Sequence, residues 1–262
     1  MSTFAMHVAK TGLNSQQVKM QVIANNLANV NTTGFKSDRA NFESLLYQIL
    51  RGAGENTSEN TSLTSGLSVG TGTRLLNTSK LFTQGSLIDT GNSLDMAIEG
   101  DGFFQVLMPD GQIGYTRSGA FSRNAEGVVT TASGYPLQPE IQIPEEATSI
   151  NVSSDGIVSV QIPGAAEAEE VGQITLADFP NKQGLQPNGE SMLMETAASG
   201  APIIANPFQE GMGRLVQGAV ESSNVNVVQQ LVDMIETQRA YEVSSKTITS
   251  VDEMMRYIAQ NL

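Results

Sequence analysis

Cysteine and tryptophan are absent from this 262-residue chain, His7 is its one histidine, and aromatic residues make up only 5% of it. Without cysteine there is no disulfide, no CxxC redox pair, no thiolate zinc site and no cysteine nucleophile. That absence suits a chain that travels unfolded. A lone His7 cannot assemble a typical zinc site, and without a GxSxG elbow there is no serine-hydrolase signature around it. The acid pair Glu145-Glu146 lacks the stacking aromatics that a polysaccharide site would offer beside its carboxylates. Gly70-Thr71-Gly72 and Gly100-Asp101-Gly102 do not continue into a phosphate loop and read as turns. No catalytic, cofactor-binding or metal residue is therefore assigned. Basic residues are also scarce, 14 against 27 acids. A net charge of -13 excludes long-range attraction to nucleic acid or to an anionic membrane. No run approaches the ~18 to 20 apolar residues of a membrane span. MSTFAMHVAKTGLNSQQ has no basic segment followed by an apolar stretch, so no cleavable signal is expected. The chain reads as cytoplasmic, or as exported by a route that needs no cleaved signal, with no direct membrane insertion.

What is present differs between the ends and the middle. Met6, Leu13, Met20 and Leu27 recur every seven residues, with Ala9, Gln16, Ile23 and Val30 three positions on. This is the narrow stripe of a coiled-coil seam. Asn31-Thr32-Thr33-Gly34 should end that helix, since Gly34 can take the left-handed conformation. At the other end Val227, Met234, Tyr241, Ile248, Met255 and Leu262 are seven apart, and Leu231, Ile235, Val251 and Ile258 widen the stripe. Asn226 with Gln229 fits a capping box. At 1.5 Å per residue the two helices would be ~40 and ~50 Å long. An ordinary helical hairpin on a core is the plainer reading. The narrow, seven-residue seams at opposite ends of the chain favour a bundle of several copies.

The middle reads as β. Phe103 to Leu107, Tyr115 to Arg117, Ala120-Phe121, Val128 to Thr130, Tyr135 to Gln138, Ile150 to Val152, Gly156 to Ile162 and Gln173 to Leu176 are strand candidates. They are separated by turn signals at Pro109-Asp110-Gly111, Asn124 to Gly127 and Gln186-Pro187-Asn188-Gly189, the spacing of an antiparallel sandwich or barrel. Residues 124 to 181 hold nine acids (Glu126, Glu140, Glu145, Glu146, Asp155, Glu167, Glu169, Glu170, Asp178) and no Lys or Arg, a strongly acidic surface. Gly52 to Ser79 is rich in Gly, Ser, Thr and Asn and shows no sustained period. It is either a flexible linker or a segment ordered against neighbouring subunits. The fold class expected is α+β, with terminal helices forming an intermolecular coiled-coil layer around a central antiparallel β domain. Its parts are 1–36, the N-terminal helix; 37–84, an extended connection with a polar loop at 51–64; 85–220, the β domain; and 221–262, the C-terminal helix.

Three blocks carry a family resemblance. Asn25-Asn26-Leu27-Ala28-Asn29, with Gly34-Phe35 after it, resembles the N-terminal signature of flagellar rod and hook proteins. Gly102-Phe103-Phe104 and Tyr115-Thr116-Arg117 resemble their β domain. Ser223-Asn224-Val225 and Gln238-Arg239-Ala240-Tyr241 resemble their C-terminal signature. The blocks lie in family order and span nearly the whole chain. Asn41 to Gln48 and the polar segment after it match the distal rod branch, while Gly200 to Gly213 departs from the pattern. The resemblance implies a structural subunit, not an enzyme, that polymerises into a rigid, hollow helical drive shaft and export channel. It implies an open helical homo-oligomer with proximal rod and hook proteins at its ends. Peptidoglycan and outer-membrane ring proteins would surround this periplasm-spanning rod of the basal body. Export would run through the flagellar type III apparatus, with no nucleic acid partner. The subunit interface would then be made by Met6, Leu13, Met20, Ile23, Leu27, Val30, Val227, Leu231, Met234, Ile235, Tyr241, Ile248, Met255 and Ile258. Rival readings are a proximal rod or short hook protein, a secreted coiled-coil fibre, and a cell-wall hydrolase.

Overall fold

The computed structural model describes the chain except residues 1, 53–55, 59–60, 63, 164–167 and 261–262. The fold is α+β, with a helix at each end and antiparallel strands between. It divides into two units, one of residues 1–27, 38–79 and 226–262, the other of residues 28–37 and 80–225.

In the first unit, helix α1 runs Ser2–Ala28 and helix α2 runs Val227–Gln260. Helix α1 ends slightly before the predicted stop, and the chain turns through Asn29 to Gly34, which has φ +67°. Helix α2 starts as a cap predicts, with the Gln229 N–H donating to Asn226 Oδ1 at 3.2 Å. The reciprocal arm of the box is replaced, because the Gln229 side chain donates to Asp233 Oδ1 at 3.0 Å. No proline or glycine interrupts α2, so its backbone ladder runs unbroken.

The stretch Gly52 to Ser79 is not the structureless linker that its composition allows. Asp38–Ser44 pairs with Thr73–Lys80, Tyr47–Arg51 with Leu67–Gly70, and Asn56–Ser58 with Thr61–Ser62. The chain thus folds back on itself as a nested two-stranded ribbon. Sequence period fails here because Tyr47–Arg51 is exposed along its whole length, so no face is selected to be apolar. Helix α1 holds the ribbon through small polar residues. Ser15 Oγ lies 3.0 Å from Thr73 Oγ1, and the Thr73 N–H donates to Thr11 Oγ1 at 3.3 Å. Gly72 permits this approach, since a Cβ there would lie 2.2 Å from Thr11 Oγ1.

The second unit is built on a five-stranded sheet in the order Leu137–Gln138, Phe104–Leu107, Ile113–Thr116, Met192–Met194, Gln186–Gly189. Adjacent residues of a strand face opposite ways, and here both faces are covered. Phe104, Val106, Leu137 and Met192 join a core with Ile141, Ile143, Val160 and Ile174. Their neighbours Phe103, Tyr115 and Leu193 join a second core with Ala177, Phe179 and Leu185. This explains the consecutive Phe103-Phe104, which strict in–out alternation would forbid. In the second core, aromatic rings meet edge to face, at 5.7 Å for Phe82–Phe103 and 4.7 Å for Tyr115–Phe179.

Two sequence expectations are corrected. Gln186-Pro187-Asn188-Gly189 is a strand, not a turn. As an exposed edge strand it tolerates Pro187 and Gly189, and the reversal falls instead at Glu190-Ser191, both with positive φ as a tight hairpin demands. The run Gln173 to Leu176 is not one strand but the end of Glu169–Gln173 and the start of Leu176–Asp178. The acids of residues 124–181 are dispersed: Glu169 and Glu170 lie on the strand Glu169–Gln173 and Asp178 on Leu176–Asp178, while Glu126, Glu140, Glu145, Glu146 and Asp155 lie in turns and loops.

Candidate functional site

Within the second unit the three signature blocks meet at one buried point. Gly34 begins it. A Cβ there would lie 2.4 Å from the Ser118 nitrogen and 2.5 Å from the Arg117 carbonyl carbon, so only glycine lets this turn lie flat on the strand end. The Gly34 N–H then donates to the Glu221 carbonyl at 2.8 Å. This places Lys36 beside the Glu221 carboxylate, Nζ to Oε1 2.6 Å, with both side chains buried. Lys36 also donates to Thr83 O at 3.0 Å, and Glu221 Oε1 accepts the Gly85 N–H at 2.7 Å.

Arg117 closes the cluster from the β domain. Its Nη1 lies 3.5 Å from Glu221 Oε2, and its Nη2 donates to Gly100 O at 2.7 Å. The guanidinium sits 5.3 Å from the centre of the Phe103 ring. Burial pulls Lys36 below the usual lysine value, and the Glu221 hydrogen bond and charge oppose that fall. Burial likewise lowers Arg117, with Glu221 opposing it. A single carboxylate thus stands between two buried cations, an arrangement in which every member depends on the others. Asn224 completes the junction. Its amide donates to Leu81 O at 2.7 Å and its carbonyl accepts the Ser37 N–H at 2.8 Å, so the chain's way in and its way out are stitched side by side. Ser223 and Thr116 are buried nearby, Thr116 Oγ1 donating to Ser191 O at 3.1 Å.

The remaining signature residues do other work. In the first unit, buried Asn26 exchanges two 2.8 Å hydrogen bonds with the Asp38 backbone, as a strand partner would, and donates to Gln230 at 3.2 Å. Asn25 approaches Asp38 Oδ2 at 3.5 Å. Ala28, Gln238, Arg239 and Tyr241 are exposed, while Ala240, Asn29, Phe35 and Val225 are half-buried. Gly102, with φ +124°, packs against Leu176.

The seam residues separate into two kinds. On α1, Ile23 is buried and Met6, Leu13, Met20 and Leu27 are half-buried within the single chain, and Val30, in the turn after it, is half-buried too. On α2, Met234, Ile248 and Met255 are half-buried and lie along a stripe with buried Thr237 and Val251. Val227, Leu231, Ile235 and Tyr241 are exposed instead. Leu231 and Ile235 with Val228 and Val232 form a second apolar face spaced at 228, 231, 232 and 235, and Val227 and Tyr241 lie off it. The Ile258 side chain and Leu262 lie outside the described residues, as does part of the 51–64 loop. Sequence reasoning did not single out Lys36 and Glu221 as partners, because nothing local signals a pairing 185 residues apart. Lys36, the first charge after the uncharged run from Asn25 to Phe35, was the one available hint. Among the described residues no group of three His, Asp or Glu could hold a metal ion, and no helix is long and apolar enough to cross a membrane.

Comparison with known proteins agrees with this geometry. Family models match at residues 6–36 (flagella basal body rod protein), 97–160 (flagellar hook protein FlgE/F/G D1 domain) and 216–261 (flagellar basal body rod FlgEFG protein C-terminal). Relatives named flagellar basal-body rod protein FlgG occur in Buchnera aphidicola. The one from the subspecies of Schizaphis graminum is 51% identical, over 98% of each chain. Those from the subspecies of Acyrthosiphon pisum and Baizongia pistaciae are 50% and 47% identical, over 98% and 97% of this chain and 98% of each of theirs. The matches at 6–36 and 216–261 contain Lys36 and Glu221, and the match at 97–160 contains Arg117. On full-length identity and on three matched segments that meet in one buried cluster, the chain belongs to the FlgG family of flagellar basal-body rod proteins.

Proposed function

We propose that the chain, a structural subunit of the flagellar distal rod, polymerises through its terminal helices into a hollow helical shaft. The observation that carries this reading is the second apolar face of α2. Val228, Leu231, Val232 and Ile235 are 72%, 44%, 45% and 53% exposed in the single chain. A helix that is apolar on two faces is made to be covered on two faces. One face is occupied within the chain and the other is left for neighbouring copies, which would complete the intermolecular coiled-coil layer. In this reading the contacts are heterologous and do not close on themselves, as an open helix requires. The division of labour proposed is helices inside (1–36 and 221–262), β domain outside (85–220), and the 37–84 connection with its 51–64 loop packing between subunits. In this reading the shaft spans the periplasm, joins proximal rod and hook proteins, turns inside the peptidoglycan and outer-membrane rings, and takes its subunits from the type III export apparatus without a cleaved signal. It assigns no catalytic or cofactor role to any residue.

The test compares Leu231→Asp, Ile235→Asp and Gln229→Asp. The first two place an unpaired carboxylate in the proposed interface, which costs several kcal/mol, about, for each subunit added. Both should melt as the parent does, since the residues are exposed in the monomer, and both should leave cells without rods or motility. Gln229→Asp, exposed and outside that apolar face, should be mild. Normal rods from Leu231→Asp or Ile235→Asp would refute the interface.

A further inference from the structure

The geometry of the Gly200–Gly213 stretch is unusual. Phe208 has φ +65° and is 72% exposed. A bulky side chain in the left-handed region is strained, and a solvated aromatic ring gains nothing in return. The turn is nonetheless firmly made. The Phe208 N–H donates to Gly213 O at 3.0 Å, the Met212 N–H to Gln209 O at 2.8 Å, and Glu210 also takes a positive φ of 52°. The loop therefore presents a fixed aromatic knob followed by an acid.

The same unit carries a cavity of about 270 Å³ at the signature junction, walled by Phe35, Phe103, Met192 and Leu193 and backed by Arg117. An apolar cavity of roughly 150 Å³ suffices for a benzene ring, so a phenyl group fits. Arg117 is 5% exposed, and its guanidinium lies 5.3 Å from the centre of the Phe103 ring, so that side of the lining is set by an aromatic–cation contact. Lys80, over the face of Phe35 at 5.3 Å, stands on the same lining as Glu190.

We propose that Phe208 of one copy enters this cavity in a neighbouring copy, with Glu210 directed towards Lys80. Knob and hole lie on different parts of one unit, so the contact is heterologous, of the kind that can propagate from copy to copy. The proposal rests on the reading of the chain as a rod subunit, and names a β-domain contact that the helix faces do not supply.

The absence of cysteine makes the test clean. Gln209→Cys beside the knob and Glu190→Cys on the cavity rim are introduced together into the full chain as the sole copy in cells. Rods are isolated, oxidised and run without reductant. A ladder of multimers that collapses on reduction is expected from the pair and not from either single variant. Adding Phe208→Ser should reduce the cross-linked fraction about tenfold or more, from the lost burial of one aromatic ring. Independently, Lys80→Glu should reduce rod number and Glu210→Lys should restore it in the double variant. Rods visible by electron microscopy that give only monomer bands, or a ladder indifferent to Phe208→Ser, would overturn this contact and leave the rod assignment standing. Failure of the parent chain itself to form rods would overturn both.

Discussion

Glu221 is the residue on which the junction turns. It is 1% exposed and faces two cations, so removing its charge strands both. Breaking a buried pair by deleting one partner costs about 3–5 kcal/mol. Glu221→Gln should lower the unfolding free energy by that amount, and Lys36→Met by less, because Arg117 and the Gly85 N–H still serve the carboxylate. The double variant should be less damaged than the two single losses added together, since the sites are in direct contact. Chemical denaturation of all three checks this, and strict additivity would show that the pair is not coupled. Gly34→Ala combines a left-handed backbone, worth about 1–3 kcal/mol, with a clash against the Arg117-Ser118 backbone. It should be at least as harmful as Glu221→Gln.

Tyr115 supplies a pH signature at the same scale. Burial, with the charge and hydrogen bond of Glu195, pushes its hydroxyl from 10.0 up to about 12. The folded state keeps the phenol neutral while the unfolded state ionises it. Its contribution to stability is therefore whole below pH 10 and is lost as pH rises from 10 through about 12. The parent's melting temperature should fall across that window, and Tyr115→Phe should fall less steeply. Parallel curves for the two proteins would refute the assignment.

At the scale of the element, α2 shows how one helix serves two partners. Its start is local chemistry. Losing the Asn226 cap in Asn226→Ala should cost about 1 kcal/mol, visible as reduced helicity at moderate denaturant, with β-sheet signals unmoved. Its faces are not local. Along the seven-residue row read from sequence, Met234, Ile248 and Met255 are half-buried within the chain while Val227 and Tyr241 are 38% exposed. A helix of 3.6 residues per turn drifts against a seven-residue repeat by about 20° per heptad. From Val227 to Met255 the row therefore shifts by only about 80° and stays apart from the face at 228, 231, 232 and 235. The Asp38–Lys80 ribbon is the opposite case. Its pairing is set by backbone hydrogen bonds between strands whose side chains are largely exposed, and Leu46, Tyr47, Ile49 and Leu50 are among the most solvated apolar residues of the chain.

For the whole molecule, the division into units predicts how the monomer is cut. The second unit holds both buried cores and the charge junction, and the first holds two long helices and an exposed ribbon. Local opening follows apolar burial. Limited proteolysis of monomer should cleave first in the ribbon between residues 46 and 70, and leave a fragment containing 80–225 to the last. Equal resistance of the ribbon would count against this order. In assembled rods the same ribbon sites should become protected if the 37–84 segment packs between subunits.

Taken alone, the sequence determined the class of the protein, its two terminal helices, the N-cap at Asn226 and most strands of the β domain. Each of these rests on neighbours within a few residues: periodicity, caps and turn formers. It also excluded cysteine and zinc-thiolate chemistry, which composition settles outright. Tertiary structure alone decided that Gln186–Gly189 is an edge strand, since only an exposed edge spares Pro187 the donor it lacks. It decided that Phe103 and Phe104 serve two cores, and which apolar positions of α2 remain uncovered. It brought Lys36, Arg117 and Glu221 together from three distant segments, because charge pairing acts through space and leaves no period along the chain.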